Sequence, residues 1–218
     1  STPFSVTTEL ADCPWNPHSK LAMIGIQGEK VDTDEMPPMN LVFLVDVSGS
    51  MQNSRKLPLV KSGLKLLIKQ MRPEDRLALV VYAGAAGVVL PSTPGSEKAT
   101  MIAALERLRA GGSTAGSAGI KLAYEVARKN FIEDGNNRVI LASDGDFNVG
   151  PSSHGELVRL IEKEREDDIF LSVLGFGMGN YKDNRMEQLA NKGNGNYAYI
   201  DTILEAKKVL VTEMGGSM

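Results

Sequence analysis

The chain has 218 residues, a length that suits one α/β domain, and a domain of that size buries about 70% of the surface its unfolded chain exposes. Its 24 basic and 27 acidic residues leave a net charge of -3 with no cationic face or tail, which argues against nucleic acid or an anionic membrane as the main partner. One cysteine, Cys13, and two histidines, His18 and His154, exclude an intrachain disulfide and any Cys/His zinc or haem set, so a bound metal must sit on oxygen.

No apolar run approaches the roughly 18 residues that cross a bilayer. The opening STPFSVTTEL lacks the basic start and apolar core of a signal peptide, and a start at Ser1 leads us to expect a processed or trimmed terminus. The Pro-rich stretch Ser1 to Pro17 reads as an arm; Trp15, with Pro14 and Pro17, is placed either to dock that arm onto the domain or to touch sequence outside it. KLAMIGIQ, Lys20 to Gln27, reads as an edge strand, and MPPMN, Met36 to Asn40, is a second punctuation. Residues 1–39 are thus expected to be an N-terminal extension packed on a domain that fills 40–218.

From Leu41 the pattern becomes regular. LVFLVD (Leu41 to Asp46), RLALVVYA (Arg76 to Ala83), RVILAS (Arg138 to Ser143) and IFLSVLGFG (Ile169 to Gly177) are near-continuous aliphatic runs, as parallel strands covered on both faces require. Between them, Leu59, Leu64, Leu67, Ile68 and Met71 repeat at helical spacing until Pro73, and Glu97 to Arg109, Ser117 to Phe131 and His154 to Glu166 are similar. A shorter helix is expected around Met186, Leu189 and Ala190, then a strand at NYAYI (Asn196 to Ile200) and a closing helix through Glu213 capped by Asp201 or Thr202. Val88 to Leu90 follows its neighbour too closely for a helical crossover and reads as an antiparallel hairpin partner of Arg76 to Ala83. The expected fold is a doubly wound α/β sheet, mostly parallel, with one antiparallel edge strand and helices on both faces. Lys56, Lys61, Lys65 and Lys69, and the run Ile161 to Asp168, read as solvated helix faces.

In such a sheet ligands bind beyond the carboxyl ends of the strands. Two strands end in an acid: LVFLVD at Asp46 and VILASD at Asp144. Asp46 opens Asp-x-Ser-x-Ser, where alternate residues of a tight turn, Asp46, Ser48 and Ser50, can face one point while Gly49 lets the backbone turn. AGGSTAGSAGI, Ala110 to Ile120, adds a third loop rich in glycine and hydroxyls. Carboxylates and hydroxyls without nitrogen or sulfur describe a hard-cation site for magnesium, with manganese or calcium as alternatives. Serines after a strand are also ordinary helix caps, so placement carries the metal reading.

These elements resemble the von Willebrand factor type A domain and its metal-ion-dependent adhesion site, over about Asn40 to Gly216. The resemblance implies a Rossmann-like fold and puts the metal positions at Asp46, Ser48, Ser50, Thr114 and Asp144; Ser113 and Ser117 flank Thr114 in a loop able to shift by one. CPWNP (Cys13 to Pro17), the spacing around Met36 to Met51 with Met36 in place of the usual leucine, and SDGDFNVG (Ser143 to Gly150) are similar to a bacterial subgroup found inside larger, often envelope-associated polypeptides. That implies a trimmed chain and an extracytoplasmic setting.

The expected function is a non-enzymatic, divalent-metal-dependent protein-binding module for adhesion or assembly, its metal completed by an Asp or Glu carboxylate of a partner. The resemblance implies that a switch between states would move the Asp144 contact and the closing helix, about Thr202 to Glu213. The alternatives are a metal-dependent hydrolase or phosphoryl-transfer enzyme, and a structural domain with a vestigial site. GFGMGN, Gly175 to Asn180, follows the fourth parallel strand and reads as a loop rather than a dinucleotide fingerprint. His154 reads either as a rim residue of the site or as a surface cap, and Met51, Asn53, Met178 and Tyr181 follow strand ends as a contact rim.

Overall fold

The computed structural model describes residues 4–28, 36–112, 116–145, 154–177 and 183–213. The chain divides into two compact units, residues 1–36 and 37–218.

In the first unit, β1 (Phe4–Asp12) pairs antiparallel with β2 (Lys20–Gly28), from Phe4 opposite Gly28 to Asp12 opposite Lys20. The segment expected to be an edge strand is thus a strand of a two-stranded sheet, paired with β1. Phe4, Val6, Thr8 and Leu10 alternate as a strand requires, a signal hidden beside the prolines that follow. Those prolines sit in the connecting turn, where the Cys13 N–H donates to Ser19 O and Asn16 Nδ2 donates to Ser19 Oγ. Trp15 is 77% exposed.

The second unit is built on a six-stranded sheet in the order β5-β4-β3-β6-β7-β8. These strands are β3 (Met39–Asp46), β4 (Arg76–Tyr82), β5 (Ala86–Pro94), β6 (Asn136–Ser143), β7 (Ile169–Phe176) and β8 (Tyr197–Ile200). Every pairing is parallel except β4 with β5, which is antiparallel and interrupted by a bulge near Leu79. The expected mixed margin is thus present, and longer than the three residues Val88 to Leu90 suggested.

Alternation along β3 divides the core. Leu41, Phe43 and Val45 pack with side chains of α1 (Leu57–Gln70), α2 (Lys98–Arg107) and α6 (Ile203–Lys207). Val42 and Leu44 pack with α3 (Gly116–Lys129), α4 (His154–Glu166) and α5 (Asp183–Lys192). Covering both faces is what a continuous apolar strand requires, each fully buried side chain contributing about 1.5–3 kcal/mol. Helix α3 lies so close on the sheet that a Cβ at Gly119 would fall 2.9 Å from Cβ of Tyr82. Thr202 caps α6, its Oγ1 accepting from the Glu205 N–H at 3.2 Å. The closing helix continues as a wider π turn over Lys208–Glu213.

Two anchors set the entry to β3. Asp75, fully buried, accepts from the Met39 N–H at 3.0 Å and the Arg72 N–H at 2.7 Å. Asn40 Nδ2 donates to Asn137 Oδ1 and to Ala127 O, tying β3 to β6 and to α3. From β3 the chain goes first to β4 on one side, and returns later to β6 on the other. The carboxyl ends of β3 and β6 therefore flank the topological switch point, the place where such sheets open a ligand crevice.

Candidate metal centre

Asp46 is the last residue of β3 and is fully buried. Three donors answer its carboxylate: the Ser48 N–H to Oδ1 at 2.8 Å, and the hydroxyls of Tyr82 and Ser143 to Oδ2 at 3.1 and 3.2 Å. Burial nevertheless holds its pKa above the usual carboxylate value; the Ser48 and Tyr82 hydrogen bonds pull against that, and the negative charge of Asp144 adds to it. Tyr82 is pushed well above an ordinary tyrosine by its own burial and then by the Asp46 charge. Both groups lie in a setting where added positive charge is favourable.

After Asp46 the Val47 N–H donates to Tyr82 O, and the chain then enters a single 3-10 turn, Gly49–Gln52. The turn brings the Ser48 and Ser50 hydroxyls within 3.1 Å of each other. Ser48 is 3% exposed, whereas Ser50 is open to solvent. The glycine-rich loop is bound to this turn: the Gly111 N–H donates to Val47 O at 2.7 Å, and the Gly49 N–H to Gly112 O at 3.1 Å. Thr114 and Ser113 lie outside the described residues, as do Met178, Tyr181 and the side chain of His154. Ser117, the other flanking hydroxyl, is half-buried near the start of α3.

Asp144 directly follows β6 and is 4% exposed. Its Oδ2 accepts from Lys56 Nζ at 2.8 Å. This corrects the reading of Lys56 as part of a solvated helix face: it precedes α1 instead of lying on it, and its side chain is 22% exposed. A Cβ placed on Gly177 would lie 3.1 Å from Lys56 Cε, so the lysine stem runs against the end of β7. Met51 also departs from expectation, because it is fully buried in the core and cannot form a contact rim. Asn53, by contrast, is exposed.

The structure thus brings Asp46, Ser48, Ser50 and Asp144 near one another beyond the carboxyl ends of β3 and β6. Sequence reasoning missed Tyr82, Ser143 and Lys56. Ser143 stands beside Asp144 and was within reach of inspection, but Tyr82 reads as a core aromatic until register pairs it with Asp46. Among the described residues no three His, Cys, Asp or Glu side chains cluster as a metal site. The donors are two carboxylates and hydroxyls, a set that fits a hard cation keeping some water better than zinc.

A doubly wound sheet with an acid-and-hydroxyl loop at its switch point defines a Rossmann-like α/β protein. The sequence matches the von Willebrand factor type A domain over residues 40–211, and the chain belongs to that family. Domains of this family commonly bind divalent metal at the adhesion site and use it to bind proteins. The chain is 48% identical to an uncharacterised protein, YfbK, of Escherichia coli K12, over 97% of this chain and 37% of that protein; it therefore spans well under half of that relative. In fold it is similar to an aerotolerance-related membrane protein of Bacteroides fragilis, with TM-score 0.63 and 21% identity over 83% of this chain and 100% of that one. It is likewise similar to proximal thread matrix protein 1 of the mussel byssus, solved with zinc in its adhesion site, with TM-score 0.61 and 20% identity over 80% of this chain and 46% of that one. Among the described residues no helix is long and apolar enough to cross a membrane.

Proposed function

We propose that the second unit is a non-enzymatic, divalent-metal-dependent protein-binding module. Asp46, Ser48, Ser50, Thr114 and Asp144 would hold Mg2+, with Mn2+ or Ca2+ as substitutes, and an Asp or Glu of a partner would complete the coordination. The observation that carries this reading is the buried Asp46 carboxylate, followed two and four residues on by a pair of hydroxyls 3.1 Å apart and within the field of a second buried carboxylate. Two buried negative charges cost several kcal/mol each unless cations answer them. Neutral hydroxyls leave a bound cation with net positive charge, able to draw a partner's carboxylate into a directional contact. An acidic chain can in this way bind an acidic group.

The membrane assignment carried by the Bacteroides fragilis neighbour is consistent with placement at a cell envelope, which we propose for this chain as well. Calorimetric titration with Mg2+ and Mn2+ tests the site: the wild-type chain binds one equivalent and Asp46→Ala does not. Equal affinity of the two proteins would refute the assignment. A pull-down from native envelope, with Mg2+ against chelator, then identifies partners that need both metal and Asp46.

A further inference from the structure

Asp144 already faces a cation supplied by the chain. Lys56 Nζ lies 2.8 Å from Oδ2, and the two side chains are 22% and 3% exposed, so the pair is largely withdrawn from solvent. Its placement is built rather than incidental. The lysine stands at the last position before α1 and its stem lies along Gly177, where φ is +122°, a conformation that side chains rarely adopt. A Cβ there would also crowd the stem, at 3.1 Å from Cε and 3.6 Å from Cγ. Three loops thus take part: the one after β3 supplies the ammonium, the one after β6 the carboxylate, and the end of β7 the channel for the stem.

We propose that Lys56 is a resident counter-ion of the site that competes with the divalent cation for Asp144. The inference rests on the metal reading given above. With the ammonium in place, the buried charge of Asp144 is answered and the domain keeps its fold without metal. A cation held by Asp46, Ser48 and Ser50 and reaching for Asp144 meets a like charge at that carboxylate, so binding becomes an exchange of ammonium for metal. Lysine suits the role because its charge is compact and its stem has four flexible carbons, whereas a guanidinium would hold the carboxylate through two fixed bonds. Lys56 accordingly lowers metal affinity while supporting the metal-free state.

The test uses the whole chain as wild type, Lys56→Met, Lys56→Gln and Asp46→Ala, with Mn2+ titrated by calorimetry and melting followed in chelator and in excess Mn2+. Removing one like charge from a site raises cation affinity by about tenfold or more. Lys56→Met should therefore bind Mn2+ at least that much more tightly than wild type, melt lower in chelator, and gain more on metal addition. Lys56→Gln keeps a donor to Asp144 without the charge and should shift affinity in the same direction, which guards against a folding defect in the methionine variant. Unchanged or weaker Mn2+ binding in both variants, with wild type binding and Asp46→Ala not, would overturn the counter-ion role alone. Absence of Mn2+ binding from every protein would overturn the metal reading together with it.

Discussion

Replacing Tyr82 by Phe removes one hydroxyl and leaves the ring in place, which makes it a sharp probe of the buried carboxylate. Tyr82 is fully buried, and its hydroxyl is one of three donors to Asp46, at 3.1 Å from Oδ2. The Ser143 hydroxyl and the Ser48 N–H remain after the substitution. A hydrogen bond to an ionised group is worth about 1.5–3 kcal/mol and one between neutral groups about 0.5–1.5 kcal/mol. For a chain of this length about 1.5–3 kcal/mol corresponds to a fall of roughly 3–12 °C in melting temperature.

The sign of the pH dependence follows from Asp46. Burial raises its folded pKa above the ordinary carboxylate value, so the folded state holds the proton more tightly than the unfolded chain. The metal-free protein is thus most favoured below the ordinary carboxylate range and loses that contribution as pH rises through the raised pKa. Tyr82→Phe deletes an interaction that lowers this pKa, so the loss is larger and the gap from wild type widens with rising pH. Urea unfolding followed by far-UV circular dichroism, in chelator at stepped pH, measures the gap. Equal stabilities at neutral pH, or a gap that stays constant as Asp46 ionises, would show that the Tyr82 hydroxyl does not support the Asp46 carboxylate.

Asp75→Ala should cost about 3 kcal/mol or more, because the fully buried carboxylate holds the Met39 and Arg72 N–H groups and pairs with the Arg72 guanidinium at 3.0 Å; a loss under about 1 kcal/mol in chemical unfolding would show that water replaces it readily. Gly119→Val drives a branched side chain into Cβ of Tyr82 and Cδ1 of Leu44, 2.9 and 3.1 Å from the added Cβ. It should destabilise by about 2 kcal/mol, and because it displaces Tyr82 it should also weaken Mn2+ binding; a fully stable variant with wild-type affinity would contradict the close packing of α3 on β3 and β4.

Much of the architecture was legible because its determinants are local. Unbroken aliphatic runs specify strands buried on both faces, Pro73 ends α1, and the short interval before Val88 forces an antiparallel return. Asp46, Ser48 and Ser50 were legible for the same reason, since five consecutive residues of one turn carry them. Asp144 followed from its position after an apolar run. The hairpin partner of Lys20–Gly28 was less legible, because the alternation of Phe4 to Leu10 runs straight into a Pro-rich turn.

The set of elements and the chemistry at two strand ends are matters of short-range pattern and can be read along the chain. The surroundings of those acids come from long-range pairing. Pairing of β3 with β4 in a register that puts Asp46 beside Tyr82 supplies one donor, and pairing with β6 supplies Ser143 as another. Lys56 and Asp144 are 88 residues apart in the chain, and their ion pair exists only because two loops at the switch point fold toward each other. A buried charge is answered by whatever the fold brings within about 3 Å, and long-range register, which no local pattern encodes, sets that neighbourhood.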